Sequence, residues 1–299
     1  MKNKKINFVK WLGIAIFLAI GFAALFYSIF GWPFEERGPA KASLEESAVH
    51  FIDCGHGDSI LVISRGEVAL IDTGTNDGGK AVAAYLKKLG IRKIDRLILT
   101  HPHGDHIGGA ERIMDSFEVE SLFLGEFSEE VRPSSSVYLS LRERIGEYEG
   151  KVILSQAGDS FSIGAFTADV LGPVDTYNEL NDQSMVIRLE YGETSLLLAA
   201  DQQDAAEKGL METYDPSALD VDVLKIGHHG SEGSTSAEFL AAVSPEYGIL
   251  CCGENPHGHP YQSVLDRIED YGLELMRTDR NGTIVISTDG SSFAVESEK

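Results

Sequence analysis

From residue 49 onward the apolar positions fall into short runs, and the period of each run predicts its element. Val49–Asp53, Ile60–Ser64 and Val68–Ile71 are short and rich in β-branched residues, which predicts consecutive antiparallel strands. Between Gly78 and Leu89 the spacing lengthens, so that Val82, Tyr85, Leu86 and Leu89 share one face of a helix that Gly90 stops. Arg96–Leu99 predicts a buried strand, and Ile107–Met114 a helix. Strand Ser121–Leu124, helix Val137–Glu147 and strand Lys151–Ser155 follow. From Phe161 strands return at Ala165–Leu171, Met185–Glu190 and Thr194–Ala199, before a helix over Ala205–Tyr214. The last part predicts strands at Val221–Ile226, Tyr247–Cys251, Thr283–Ser287 and Phe293–Val295, with helices at Ala237–Val243 and Tyr261–Tyr271. Each half places strands first and helices later, the pattern of an α/β (α+β) protein with two sheets face to face and helices outside.

The N-terminal pattern is different in kind. Lys2, Lys4, Lys5 and Lys10 precede an uncharged stretch from Trp11 to Phe34. About twenty apolar residues span a bilayer core, and basic residues before them stay on the cytoplasmic side. Residues 1–34 therefore predict one transmembrane anchor, 35–47 a polar linker, and 48–299 a single domain outside the cytoplasm. A cleaved signal peptide, cut near Ala42 to give a secreted protein, is the alternative, although the apolar run exceeds the usual signal core of roughly 7–15 residues. All 47 acidic residues follow Phe34, while four of the 25 basic residues precede it, so the exported part is more acidic than the formal charge of −22 suggests. That field argues against a broad basic footprint for nucleic acid, but not against a short strand held by metals. Cys54, Cys251 and Cys252 are too few and odd in number for a disulfide framework.

Candidate chemistry centres on Thr100–Gly109, where His101, His103, Asp105 and His106 fall within six residues. In an extended run His101 and His103 point to one side, and Pro102 holds its predecessor extended. Asp105 and His106 then open the next helix and can face a second ion. Stacked imidazoles without a metal would leave buried ring nitrogens in need of partners, and His with Asp suits zinc, manganese or iron. Asp201 follows the apolar run Leu196–Ala200, where a buried negative charge needs a cation, although an N-cap for the following helix is an alternative role. His228 and His229 likewise follow the strand Val221–Ile226, with core or surface histidine as the plainer reading. Gly55, Gly57 and Ser59 suit either an anion-binding nest or a hairpin turn, and Ser231, Ser234 and Thr235 read as helix caps.

Taken in order, Asp53-Cys54-Gly55-His56-Gly57-Asp58-Ser59, Ile71-Asp72-Thr73-Gly74, the histidine cluster, Leu198-Ala199-Ala200-Asp201, Lys225-Ile226-Gly227-His228-His229-Gly230-Ser231 and Asn255-Pro256-His257-Gly258-His259-Pro260 resemble the metallo-β-lactamase superfamily. More narrowly, the series resembles the hydrolase domain of ComEC-type DNA-uptake proteins and their stand-alone relatives, over about residues 48 to 297. The resemblance implies an αββα sandwich with one or two divalent metal ions, zinc or manganese, at the edge of the sheets. It implies His101 and His103 at one metal, Asp105 and His106 at the second, Asp201 as bridge, and one of His228 and His229 completing the second site. Asp72 would orient the histidine loop from behind. No His occurs from Ile107 to Gly227, where superfamily members commonly carry a further ligand, and Asn181-Asp182-Gln183-Ser184 resembles the subgroup's replacement. Asn181 and Ser184 are therefore expected beside an open or weak first site. His56 and His257 stand where relatives usually carry Gln and Tyr.

Asp105 and Asp201 are thus expected to act in catalysis, with His259 contacting the substrate or protonating the leaving group. The reading is a membrane-anchored, extracytoplasmic metal-dependent hydrolase, a phosphodiesterase or nuclease, possible partners being single-stranded DNA and the membrane. Hydrolysis of a lactone, thioester or β-lactam, and a catalytically silent binding module of the same fold, are the alternatives. With one hydrophobic span, a role in DNA uptake would need a separate membrane partner.

Overall fold

The computed structural model describes residues 47–126 and 131–299. The expected anchor, its cleavage site and the linker up to residue 46 lie outside the described residues, within which no helix is long and apolar enough to cross a membrane.

Seventeen strands form among the described residues. The first half supplies β1 (Ser47–Phe51), β2 (Ile60–Ser64), β3 (Glu67–Ile71), β4 (Lys93–Ile94), β5 (Arg96–Leu99), β6 (Glu118–Val119), β7 (Ser121–Gly125) and β8 (Lys151–Ser155). The second supplies β9 (Ser160–Ile163), β10 (Phe166–Gly172), β11 (Val186–Tyr191), β12 (Thr194–Leu198), β13 (Val223–Lys225), β14 (Tyr247–Leu250) and β15 (Glu274–Arg277), and the chain ends with β16 (Ile284–Thr288) and β17 (Phe293–Ser297). One sheet has the order β17-β16-β1-β2-β3-β5-β7-β8, the other β15-β14-β13-β12-β11-β10-β9, and β4 pairs with β6 apart from both.

Hydrophobic sidedness explains the stacking. In β1 and β2, Val49, Phe51, Ile60 and Val62 join Phe166, Ile187, Leu196 and Ile249 of the other sheet in one buried core. Their neighbours Leu61 and Ile63 face outward against Val82 and Leu86 of helix Gly78–Lys88 and Ile113 of helix Ala110–Ser116. On the far side, Leu197 and Leu224 pack under Leu210, Phe239, Leu240, Val264 and Ile268 of three further helices. The layers are helix, sheet, sheet, helix, and Phe51→Ala in the inner layer should cost about 3–5 kcal/mol.

Both sheets run antiparallel and then parallel: β3, β5, β7 and β8 are parallel neighbours, as are β12, β13, β14 and β15. Parallel neighbours require crossovers, and the outer helices provide them. The carboxyl ends of β3, β5, β12, β13 and β14 therefore release their loops at one edge of the sandwich, where ligands of open α/β sheets bind.

Three expectations need correction. β16 and β17 return to the first sheet, Val49 pairing with Ile286, rather than staying with the second half. β9 and β15, unassigned from sequence, are strands. The expected helix Ile107–Met114 is two helices, Gly104–Ile107 and Ala110–Ser116, because the chain must squeeze past the loop after β3. A Cβ at Gly109 would lie 2.4 Å from the Thr73 carbonyl oxygen, and Gly109 N–H donates to the Gly74 carbonyl at 3.2 Å.

Candidate metal centre

The histidine loop leaves β5 and is held from three sides. Thr73 grips the His106 carbonyl through its backbone N–H (2.7 Å) and hydroxyl (2.8 Å). Gly57, at φ +114°, lets the Asp58 N–H reach the Asp105 carbonyl at 3.2 Å, where a Cβ on Gly57 would lie 2.1 Å from that oxygen. The small residues of Gly55–Ser59 thus serve a close backbone approach. From the second sheet, Met185 N–H donates to the Thr100 carbonyl at 3.0 Å.

Asp72, buried after β3, accepts from Thr100 N–H (2.9 Å), Thr100 Oγ1 (2.6 Å) and His106 Nδ1 (2.7 Å). That last bond fixes the His106 tautomer and turns Nε2 toward the centre. His229 is set the same way, its Nδ1 donating to the Cys251 carbonyl at 2.9 Å. His101 Nδ1 lies 3.2 Å from Thr100 Oγ1, whose own proton goes to Asp72.

The free nitrogens converge on Asp201. Oδ2 is 3.1 Å from His106 Nε2, 3.7 Å from His228 Nε2 and 3.8 Å from His101 Nε2, while Oδ1 is 3.5 Å from His229 Nε2. Asp105 Oδ2 is 3.5 Å from His229 Nε2 and accepts from His56 Nε2 at 3.3 Å. Asp105, His106, Asp201 and His229 bring donor atoms within 4.8 Å of one another; His103, 3.2 Å from His101 through Nδ1, and His228, beside Asn181, stand outside that group.

The set fits a cation on its own chemistry. Buried His106 Nε2, His229 Nε2 and Asp201 Oδ1 have no hydrogen-bond partner, and acceptors gathered this way are stable when a positive charge joins them. The local field agrees. Burial opposes a charged ring at His106, yet Asp201 and Asp72 outweigh it and hold its pKa well above the usual value. At His229 burial is likewise outweighed by Asp201 and Asp105, raising the pKa to about 10. A second group, Asp58, Asp72 and His106, is already engaged, because Asp58 Oδ2 pairs with buried Lys225 Nζ at 2.5 Å and Asp72 holds His106.

Four residues here have left-handed backbones that side chains disfavour: Asp72 (φ 58°), Ala200 (φ 47°), His228 (φ 42°) and His229 (φ 52°). Such strain costs of order 1–3 kcal/mol per residue and gathers where function requires it. The braces are visible. Ser234 Oγ donates to the Gly227 carbonyl at 2.9 Å, Thr235 Oγ1 accepts from Gly227 N–H at 3.0 Å, and the Glu207 carboxylate accepts from Ser236 N–H at 2.9 Å. Ser236 is the helix cap, so Ser234 and Thr235 hold the histidine loop instead of capping. Asp201 is no cap either, since Gln203 precedes the helix Asp204–Thr213.

A metallo-beta-lactamase superfamily model matches residues 52–254. The chain belongs to that superfamily. Its fold is that of metal-dependent hydrolases, a fold that binds one or two metal ions, and Asp105, His106, Asp201 and His229 could hold one here. The chain is 34% identical over 261 residues to ComE operon protein 3 of Bacillus subtilis (strain 168), covering 80% of this chain and 33% of that protein. It is 31% identical to competence protein ComA of Neisseria gonorrhoeae, covering 82% and 33%. The chain thus spans about a third of the length of these curated relatives. Among solved structures, the metallo-β-lactamase fold protein YhfI of Bacillus subtilis superposes with a TM-score of 0.53 at 12% identity, over 80% of this chain and 100% of YhfI. CmlA of Streptomyces venezuelae, a diiron β-hydroxylase, gives 0.56 at 17% identity, over 82% of this chain and 54% of CmlA. These two likenesses concern the fold.

Within the superfamily frame, the structure brings His101, His106, Asp105, Asp201, His228 and His229 to one place, with Asp72 behind them. Asn181 Nδ2 lies 3.3 Å from His228 Nε2, and Ser184 Oγ accepts from Asp201 N–H at 3.4 Å, so the Asn-Asp-Gln-Ser segment lines the less finished side. His259 is at the rim, its ring 5.1 Å from that of His228. Burial and the neighbouring His228, His229, His257 and His56 lower its pKa to about 4, so it is neutral at pH 7 and better suited to hydrogen bonding than to giving up a proton. Sequence reasoning assigned no role to Lys225. Its ammonium is fully buried, donates to the Ala200 carbonyl at 2.7 Å and lies 3.9 Å from Asp201 Oδ1, supporting the strained turn before Asp201. Its place between an apolar strand and the His-His pair was the available signal.

Proposed function

We propose that this chain is a membrane-anchored, extracytoplasmic phosphodiesterase that uses zinc or manganese to cleave single-stranded DNA. The observation that supports it most is buried Asp201, whose Oδ2 lies between His106, His101 and His228 while its Oδ1 faces His229. A carboxylate so placed suits a pair of ions on an in-line phosphoryl displacement. Similarity to competence proteins of two bacteria over the matching third of their length favours a nucleic-acid substrate.

Divalent ions held here would acidify a water molecule and offset charge on the phosphodiester. Asp105, His106, Asp201 and His229 would hold the first, with His101, His103 and Asp201 at the second. Asp72 keeps the His106 ring aimed, and buried Lys225 balances Asp58 and Asp201 from behind. At the mouth, His228, Asn181 and His259 are placed to bind non-bridging oxygens. The acidic chain repels long polyanions, which favours short-range capture of a single strand over a broad duplex footprint.

The test is cleavage of single-stranded DNA by the full-length protein with manganese or zinc, with Asp105→Ala as control. Metal-dependent cleavage lost in the control is expected. Metal-loaded protein that leaves DNA intact but opens a lactone or thioester would overturn the nuclease reading.

A further inference from the structure

Two histidines outside the compact metal group, His56 and His257, meet in space. Their ring centroids are 5.9 Å apart, and His259 completes a triangle at 5.6 Å from His257 and 6.3 Å from His56. Two loops build it. Gly253 packs so tightly on Gly55 that a Cβ there would lie 2.4 Å from the Gly55 carbonyl carbon, which clamps the loop after β14 onto the loop after β1. Asn255 then staples its own loop, Oδ1 accepting from the N–H groups of His257 (3.0 Å) and His259 (3.1 Å), while Nδ2 donates to the carbonyls of Gly253 and His259.

The rings also carry spare lone pairs. His56 Nε2 donates to Asp105, which leaves Nδ1 an acceptor, and that atom is buried without a partner. His259 Nδ1 is buried and unpartnered as well. We propose that His56, His257 and His259 form an accessory site for a zinc-class divalent transition ion at the mouth of the catalytic centre, separate from the ions held by Asp201.

Zinc–nitrogen bonds of about 2.0–2.1 Å at a tetrahedral angle put three imidazole centroids about 5 Å apart. The observed triangle is slightly wider, and its donor atoms do not fall within 4.8 Å of one another as those of the central group do. Closing it requires a rotation of the His257 side chain, which is exposed and so free of packing against a core. The fourth ligand position of such an ion faces the mouth and takes water or an anionic substrate group. The inference does not rest on the nuclease reading.

The test counts zinc. Full-length protein, loaded with zinc and dialysed, is compared with His257→Ala and with the double variant His56→Gln/His257→Tyr. The double variant should hold one equivalent fewer, and His257→Ala should release that equivalent to a chelator at least about tenfold more readily, a ligand's worth of about 1.4 kcal/mol. Asp201→Asn, weakened at the central ions, should keep a zinc that remains sensitive to His257→Ala. Equal zinc content and equal release in the parent and His257→Ala would overturn the proposal, whether or not any variant hydrolyses DNA.

Discussion

The two sides of the metal centre are unequally finished. On one side Asp105, His106, Asp201 and His229 already stand together, and the rings of His106 and His229 are locked by Asp72 and the Cys251 carbonyl. On the other, His101, paired with His103, and half-buried His228, paired with Asn181, each reach Asp201 Oδ2 only at 3.8 and 3.7 Å. Preorganised ligands lose less freedom on binding an ion, so the first side should fill first and hold its ion longer. One ion would then be structural to the reaction and the other exchangeable with substrate or medium.

The sharpest way to break this comparison is His229→Ala, which should abolish the tight ion and lower hydrolysis by about 10³-fold or more, measured as initial rate at saturating metal. A variant that keeps both would equalise the two sides. Asp72→Asn, which loses the charged acceptor for His106 Nδ1, should weaken the tight ion about 10–100-fold by competition with a chelator. Asn181→His should work on the other side, tightening the second ion about tenfold, or about 1.4 kcal/mol, in the same titration. The smallest effect on the centre is expected from His50, buried in β1 with Nδ1 2.9 Å from the Tyr85 hydroxyl. Burial lowers its pKa from 6.5 to about 4, so its contribution to stability is full above 6.5 and is lost as pH falls toward 4. Between pH 8 and 5 that loss is about 2 kcal/mol, and His50→Gln should flatten the denaturation profile by that amount without changing metal content.

Most elements that frame the centre were legible from local pattern or composition. Val82 and Leu86 carry a helical period that burial against the first sheet enforces, and β1 to β3, buried on both faces, are marked by short runs rich in β-branched residues. What escaped was decided at a distance. β15 reads Glu-Leu-Met-Arg, with Leu275 and Met276 only partly buried, so no alternation marks it. The return of β16 to β1 depends on partners such as Val49 and Ile286, which no local pattern links. The break at Gly108 and Gly109 hides inside a sound helical spacing, because its cause is the Thr73 carbonyl against Gly109. In the centre the residues that come together were legible as motifs, while the place of His229 rather than His228 in the compact group required their opposite environments: His229 fully buried, His228 turned to Gln203 and Asn181.

The most direct test of the unequal centre is a calorimetric zinc titration of metal-free, full-length protein carrying His257→Ala, so that the rim does not enter the count. Two steps are predicted, the first at least about 100-fold tighter than the second, or about 2.7 kcal/mol. Adding His229→Ala should remove the first step, and adding His103→Ala should remove the second. Two equivalents of equal affinity, or loss of the tight step with His103→Ala, would contradict the account.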